Sequence, residues 1–460
     1  MPTHVVIVAN HYAYRLGDYL RACTALGAVT TVVCDMPLAM GNVPNSHPGN
    51  PSYGQPQHGP DHRPDHRPDH GPDHRPDHRP DHRPDHRPDH RPDHRPGHTF
   101  IAVGDFDAAD AASRVIDRLG DLPVCAVVAI DDKAASLAAR LSERLGIRGN
   151  SLAGVDTVRY KDRFRAALAG SRFSVPWFKV VAADETIDPP PYPAVLKPTA
   201  MAGSRGVIRV DCDREFDAAL VAIRAIIGSR RDQSILIEPY VEGPEVALEG
   251  LLVDGALHVL ALFDKPGMSS GPYFEERIYT APSRLPMPQQ ARIVTAVTAA
   301  CRMTGLTTGP IHAELRVGGG GPVMIEMAAR GIGGNCGRIF SLVRPYALET
   351  LHITAALARP QPVSEEPADE PAAAFGVLML STPLDGVLRG FDGIEQARRL
   401  PHIHGVEISK TPGEYLEALP RGDGYLGFAF AVGPHPARVQ RALEQVRATV
   451  RLDIELSDGA

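Results

Sequence analysis

The residues best placed for chemistry in this sequence are Glu314 and Glu326, within GPIHAELRVGGGGPVMIEMAARGIGG (Gly309 to Gly334). Alternating apolar and polar residues on either side of a glycine run predict a β-hairpin. With its tip at Gly320, Val317 faces Val323, His312 faces Ala328, and Glu314 faces Glu326. Period-two alternation sends Ile311, Ala313 and Leu315 to one apolar face and the two carboxylates to the other. Like charges placed directly opposite one another destabilise a sheet. The pair therefore either shares a cation or stands solvated on an exposed face. Oxygen-only donors suit Mg²⁺, which keeps several waters and takes one or two carboxylates beside substrate phosphates. On pattern alone both readings stand.

Further groups along the chain fit anion recognition. Arg330 precedes Gly331, Gly333 and Gly334, so a bidentate guanidinium meets backbone able to approach a phosphate closely, unless it is simply a surface arginine. Lys197 ends the strand PAVLK and is followed by the small-residue loop TAMAGSRG, with Gly203, Ser204 and Gly206. Such a loop either covers phosphates with its amides or is an ordinary glycine-rich turn. Lys161 is another cation, in a helix expected to be capped by Asp156 and to run to Gly170. In ILIEPYVEGPEVALEG an apolar strand ends at Glu238, and Pro239 to Gly243 form a turn. Main-chain groups of Tyr240 and Val241 could read a base edge while Glu245 bonds ribose hydroxyls; the bland alternative is a hairpin with charged flanks.

Alternating strand and helix patterns, VVIVA, Arg15 to Leu26, TTVVC, FIAVG, Ala108 to Leu119, VCAVVAI and Lys133 to Leu145, predict βαβ units around a parallel sheet. Residues 1–155 are expected to form this doubly wound domain, and residues 41–98 a disordered insert within one of its loops. Asp-His-Arg-Pro recurs there from Asp61 to Pro96, with Gly71 the one irregularity; proline at every fourth position forbids helix and ladder alike. Its histidines offer weak transition-metal binding, or the repeat is a tolerated expansion in a surface loop. Beyond it, antiparallel strands predominate, with subdomains expected at 156–230 and 231–358. A proline- and acid-rich linker at 359–373 and a small αβ domain at 374–460 follow.

Length and composition set the outer bounds. The 460 residues suffice for about three domains. A net charge of -7 recommends no nucleic-acid partner or membrane surface. Six scattered cysteines without a CxxC pair argue against a zinc site and fit reduced thiols. No run of 18 apolar residues occurs, so a soluble cytoplasmic protein is expected.

Taken in order, KDRFR (161–165), LKPTAMAGSRGV (196–207), IEPYVEGPEV (237–246), HAEL (312–315) and IEMAAR (325–330) resemble the motifs of the ATP-grasp superfamily. The resemblance extends to GDFDAADAA and LAARLSERLGIRGNS, similar to the family's leading domain, and so covers nearly the whole chain outside the repeat. Within the superfamily the chain most resembles the L-amino acid ligases. Its Glu326-Met-Ala-Ala-Arg330 stands where many members have Glu-x-Asn-Pro-Arg, and Gly386 to Glu414 resembles the ligases' extra C-terminal domain.

The resemblance implies an α/β and α+β multidomain ATP-grasp fold and a carboxylate–amine ligase acting through an acyl phosphate, with release of ADP and phosphate. It implies ATP and Mg²⁺, or Mn²⁺ in its place, as cofactors. It makes Lys161 and Lys197 phosphate ligands, 200–206 a lid carrying Gly203, Ser204 and Gly206, Glu238 to Val241 the adenine hinge, and Glu245 the ribose ligand. Glu314 and Glu326 would bind the metal, Arg330 would grip the acyl phosphate, and Glu276 in YFEERIYTAP would meet a substrate amino group. Tyr279 stands where relatives often have histidine. Small-molecule acid and amine substrates, amino acids by default, are the expected partners, with a homodimer as the base-rate assembly. Competing readings are a purine-pathway carboxylase or formyl-phosphate-type enzyme, and a nucleotide-binding protein without turnover.

Overall fold

A continuous apolar strand is stable only where both faces of its sheet are covered, and the N-terminal third of the chain arranges this. The computed structural model describes residues 3–11, 13–36, 98–228, 234–267, 272–359, 373–422 and 424–456. The first elements are β1 (His4–Ala9), α1 (Leu16–Ala25), β2 (Val29–Cys34), β3 (His98–Ala102), α2 (Ala111–Leu119), β4 (Val124–Ala129) and α3 (Asp132–Leu145). The four strands are all parallel, in the order β3-β2-β1-β4. Val6 and Val8 pack on one face with residues of α2 and α3, while Val5 and Ile7 pack on the other with residues of α1. The Asp-His-Arg-Pro repeat lies outside the described residues. His98, assigned by sequence to the insert, instead opens β3 opposite Thr30.

The single helix expected from Asp156 to Gly170 is two. α4 (Leu152–Arg159) is capped by Ser151, whose Oγ accepts from Gly154 N at 3.1 Å, so Asp156 is interior and accepts from Ser136 Oγ at 2.7 Å. Tyr160 is extended and breaks the run; the amide of Lys161, first residue of α5 (Lys161–Leu168), then donates to Thr199 O at 2.8 Å. This break matters because it aims Lys161 toward the following subdomain.

That subdomain comprises β5 (Lys179–Ala182), β6 (Ala194–Pro198), β7 (Ile208–Val210), α6 (Asp213–Ile227) and β8 (Ser234–Pro239), with antiparallel strand order β5-β8-β6-β7. One face of α6, including Phe216, Leu220, Ile223 and Ile227, buries against Leu196, Ile208 and Ile235. Next come β9 (Glu245–Val253), β10 (Ala256–Asp264), β11 (Ile278–Ala281), α7 (Met287–Thr304), β12 (Gly309–Gly318), β13 (Gly321–Ala328), α8 (Cys336–Val343) and α9 (Leu348–Ala356).

The C-terminal elements are β14 (Ala374–Leu380), β15 (Gly386–Asp392), α10 (Ile394–Arg398), β16 (Ile403–Ile408), β17 (Tyr415–Leu416), β18 (Gly427–Gly433), α11 (Pro436–Thr449) and β19 (Arg451–Glu455). They do not stand apart. β14 pairs antiparallel with β11, so β14, β18 and β16 complete one eight-stranded sheet of order β13-β12-β9-β10-β11-β14-β18-β16. A separate three-stranded sheet, β17-β15-β19, completes this region. At the junction Phe375 of β14 meets Phe263 of β10 edge-on at 5.7 Å and Phe340 of α8 at 6.3 Å.

Phe375 is 2% exposed, so Phe375→Ala should cost about 3–5 kcal/mol. Urea denaturation checks this; a loss below about 1 kcal/mol would mean that the junction is not part of a shared core.

Candidate active site

Glu314 of β12 and Glu326 of β13 are direct cross-strand partners, as are His312 and Ala328. Toward the tip the expected pairing slips: Val317 faces Pro322, not Val323. The cause is a β-bulge at Ile325, which has no partner between the Glu314–Glu326 and Leu315–Met324 pairs. A bulge leaves its backbone groups off the ladder, and here Arg165 of α5 takes the Ile325 carbonyl at 2.8 Å. Ile311, Ala313 and Leu315 are fully buried, which leaves His312, Glu314 and Arg316 on the opposite face.

Several cations approach these carboxylates. Lys161 Nζ lies 3.2 Å from Glu326 and also donates to the Met201 carbonyl. Lys265, just after β10, is buried among Glu245 at 2.6 Å, Glu314 at 3.1 Å and Glu276 at 3.4 Å. Tyr279 donates to Glu276 at 3.1 Å and to Glu314 at 3.3 Å. Burial would raise the Glu314 carboxyl, yet Lys265 and His312 hold it well below its ordinary range. Burial would lower Lys265, but Glu245, Glu314 and Glu276 drive it well upward. Three carboxylates thus converge on one ammonium.

Among the described residues no three His, Cys, Asp or Glu side chains form a cage able to hold a metal alone. Two facing carboxylates nevertheless fit a hard cation that draws its remaining ligands from water and phosphate.

Glu238 of β8 is 3% exposed and binds Arg165 Nε at 2.5 Å and Lys197 Nζ at 2.6 Å. Burial alone would raise its carboxyl; Arg165 and Lys197 hold it at about 2. Lys197 of β6 is shifted down, because burial, aided by Arg165 and Lys161, outweighs the pull of Glu238. Just beyond, the Tyr240 amide donates to Pro193 O at 2.9 Å, and Arg316 takes the Val241 carbonyl at 3.0 Å. The Tyr240 amide and the Val241 carbonyl are thus both engaged within the protein. Tyr240 and Phe274 stack at 6.2 Å, with Arg316 against both rings. Glu245, of β9, is tied to Arg316 at 2.9 Å as well as to Lys265.

The loop after β6 folds over this cleft. Gly203, Ser204 and Gly206 all have positive φ. A Cβ on Gly206 would lie 2.8 Å from the Pro198 ring, so only glycine fits there. Gly206 does not line the cleft; its amide bonds the Pro420 carbonyl at 2.8 Å and holds the loop against the C-terminal region. The other twelve sequence-predicted residues, Lys161, Lys197, Gly203, Ser204, Glu238, Tyr240, Val241, Glu245, Glu276, Glu314, Glu326 and Arg330, line one cleft.

Arg330 is held from the N-terminal domain. Its guanidinium donates to Asp132 at 2.8 and 3.1 Å. Burial would lower Arg330, yet Asp132 raises it, so it stays charged. Arg15 reaches the Ile332 carbonyl at 2.6 Å, and the Tyr14 hydroxyl accepts from the Gly334 amide at 2.8 Å. These contacts fix the glycine-rich segment beside the guanidinium.

Residues 190–339 match the family model described as an ATP-grasp domain, and residues 378–455 match that of the L-amino acid ligase C-terminal domain 2. The chain carries an ATP-grasp domain. Most of the residues lining the cleft just described fall within the first match, and the C-terminal match fits the resemblance to L-amino acid ligases. A solved L-amino acid ligase from Bacillus licheniformis shares the fold, with a TM-score of 0.77 over 98% of this chain and 99% of that one, at 22% identity. Carnosine synthase 1 of Gallus gallus is 29% identical over 61% of this chain and 32% of its own length. Alanine–anticapsin ligase of Bacillus subtilis is 26% identical over 43% of this chain and 46% of its own. The chain thus spans less than half the length of either curated relative.

Sequence reasoning missed Lys265, Arg165, Asp132 and Tyr425, whose hydroxyl donates to Glu276 Oε2 at 2.6 Å. A signal existed for Asp132. It follows β4 at the C-terminal end of a parallel sheet, where ligand-handling residues collect in α/β folds.

Glu238 sets a pH expectation. Its carboxyl is ordinarily near 4.5 and lies at about 2 here, so its contribution is complete above pH 4.5 and is lost as pH falls toward 2. The shift is worth about 3 kcal/mol. Urea titrations at about pH 6 and about pH 3 should therefore show a smaller acid loss in Glu238→Gln than in wild type. Equal losses would refute the assignment.

Proposed function

We propose that this protein is an ATP-dependent carboxylate–amine ligase that joins an amino acid carboxylate to an amine. The observation carrying this reading is the single cleft in which the facing carboxylates Glu314 and Glu326 meet Lys161, Lys197 and Arg330 beneath the 200–206 loop. The L-amino acid ligase C-terminal match favours it over a purine-pathway carboxylase.

A carboxylate is a poor acyl donor, so activation must come first. In the proposed reaction a carboxylate oxygen attacks the γ-phosphorus of ATP, the bond to the β-phosphate oxygen breaks, and ADP leaves. The amine nitrogen then attacks the carbonyl carbon of the acyl phosphate. Phosphate departs as the C–O bond breaks, and the proton lost by nitrogen ends on phosphate.

The protein's part is placement and charge complementarity, the usual basis of phosphoryl-transfer catalysis. Glu314 and Glu326 would hold Mg²⁺, or Mn²⁺ in its place; the metal, when bound, supplies charge neutralisation at the phosphates. Lys161 and Lys197 stand ready for phosphate oxygens, the second after loosening from Glu238. The Tyr240 carbonyl and Val241 amide suit the adenine edge, and Glu245 the ribose. Arg330, held by Asp132, suits the acyl phosphate, and Glu276 a substrate amino group. The 200–206 loop would exclude water, which otherwise hydrolyses the intermediate. The six cysteines are free, which suits a reducing compartment such as the cytoplasm. Among the described residues no helix is long and apolar enough to cross a membrane.

Phosphate release from Mg-ATP across paired amino acids, with mass spectrometry of products, tests the reading; ADP with a dehydrated conjugate is expected. Glu326→Ala should lower turnover to background, a loss of at least about 100-fold, with an unchanged melting temperature. Ligation retained in that folded variant would sink the metal assignment.

A further inference from the structure

A second cavity, of about 310 Å³, adjoins the ATP-grasp cleft and shares Gly203, Ser204, Glu276 and Tyr425 with it. Its walls come from Gly203 and Ser204 of the 200–206 loop, from the segment between Tyr273 and Arg277, and from the C-terminal region, where Ser381 to Pro383 and Glu417 to Leu419 with Gly422, Gly424 and Tyr425 line it. Two backbone hydrogen bonds tie these walls together. Gly206 N reaches Pro420 O at 2.8 Å, and Arg209 N reaches Pro272 O at 2.8 Å. On the ligase reading, space that adjoins the cleft at Glu276 is where a nucleophile would wait.

The charge of the lining says which nucleophile. Among the described lining residues are three carboxylates, Glu275, Glu276 and Glu417, and one guanidinium, Arg277. Arg277 is already bound to Glu275, which also accepts from the Ser381 hydroxyl. Glu417 has its cation, Arg421, at 3.9 Å and is half-exposed. Glu276 is fixed at the junction by Tyr425 from the C-terminal region and by Tyr279 from β11. An acceptor carrying its own carboxylate would meet no uncommitted lining cation, whereas an ammonium group would meet Glu417.

We infer that this cavity receives the amine substrate and selects acceptors of net positive charge, a diamine or a basic amino acid. The inference rests on the ligase reading above. The amine enters with one nitrogen as the free base, which forms the C–N bond as the C–O bond to phosphate breaks. Its second, protonated nitrogen stays with Glu417.

The test separates the two claims by first supplying hydroxylamine, a small nucleophile that intercepts an acyl phosphate without needing the cavity. The full-length protein with Mg-ATP is incubated with each of the twenty proteinogenic L-amino acids and hydroxylamine, and acyl hydroxamate is measured. No hydroxamate with any of them overturns the ligase reading and this inference together. With a productive acid in hand, putrescine, L-lysine, L-alanine and L-glutamate are compared as acceptors. Putrescine and L-lysine should exceed L-alanine in kcat/KM by at least about tenfold, with L-glutamate weakest. The putrescine-to-alanine ratio should then fall at least about tenfold in Glu417→Lys, with its melting temperature recorded alongside. Hydroxamate formation with no preference for the cationic acceptors, or a ratio unmoved in folded E417K, overturns the inference and leaves the ligase reading standing.

Discussion

The cleft depends on a concentration of buried charge: Glu245, Glu276 and Glu314 share the ammonium of Lys265. Burying carboxylates without full compensation is costly, and much of the local structure serves to lessen that cost. His312 leans on Glu314 at 3.3 Å, Tyr279 bonds both Glu314 and Glu276, and Arg316 takes the second oxygen of Glu245. On the proposed function, a divalent cation arriving with a nucleotide would enter this network, so ligand binding would redistribute contacts that the side chains already make among themselves.

Arg165 supplies a second constraint, mechanical as well as electrostatic. It joins the bulge of β13 to Glu238 of β8, and Glu238 in turn holds Lys197 of β6. The small subdomain and the β12–β13 hairpin are thereby linked through one buried side chain. From the other side, Arg15, Tyr14 and Asp132 of the N-terminal domain hold Arg330 and the glycines after it. A buried arginine needs a counterion, and Asp132 provides one for Arg330.

Much of this could be read from sequence where periodicity and turn chemistry are local. The pairing of Glu314 with Glu326 followed from the hairpin pattern, and it survived an error. Placing the tip at Gly320 with a regular ladder gave the right opposition for the wrong reason, since the bulge at Ile325 compensates for a two-residue turn. Bulges carry no compositional signature, so the slip toward Pro322 was invisible. Helix α4 began at Ser151 and not Asp156 because both residues can cap, and only packing decides between them. Lys265, Arg165 and Tyr425 were illegible for another reason: their partners lie far away in the chain, and nothing local marks a lysine or arginine whose role is to meet a distant carboxylate.

The continuous eight-stranded sheet limits how this protein could be altered by exchange of parts. Because β14 bonds along the whole of β11, the C-terminal region is not a module attached by a tether. A graft from a relative would have to reproduce the pleat and twist of a foreign sheet edge, together with the Phe263–Phe375–Phe340 contact across the seam. Strand β11 also carries Tyr279, which lines the cleft, so the seam and part of the cleft wall are one piece of backbone. Changes of specificity in such a scaffold are accessible through substitutions in the loops that project from the sheet, and recombination at the apparent boundary near residue 373 would cut through the structure that holds those loops in place.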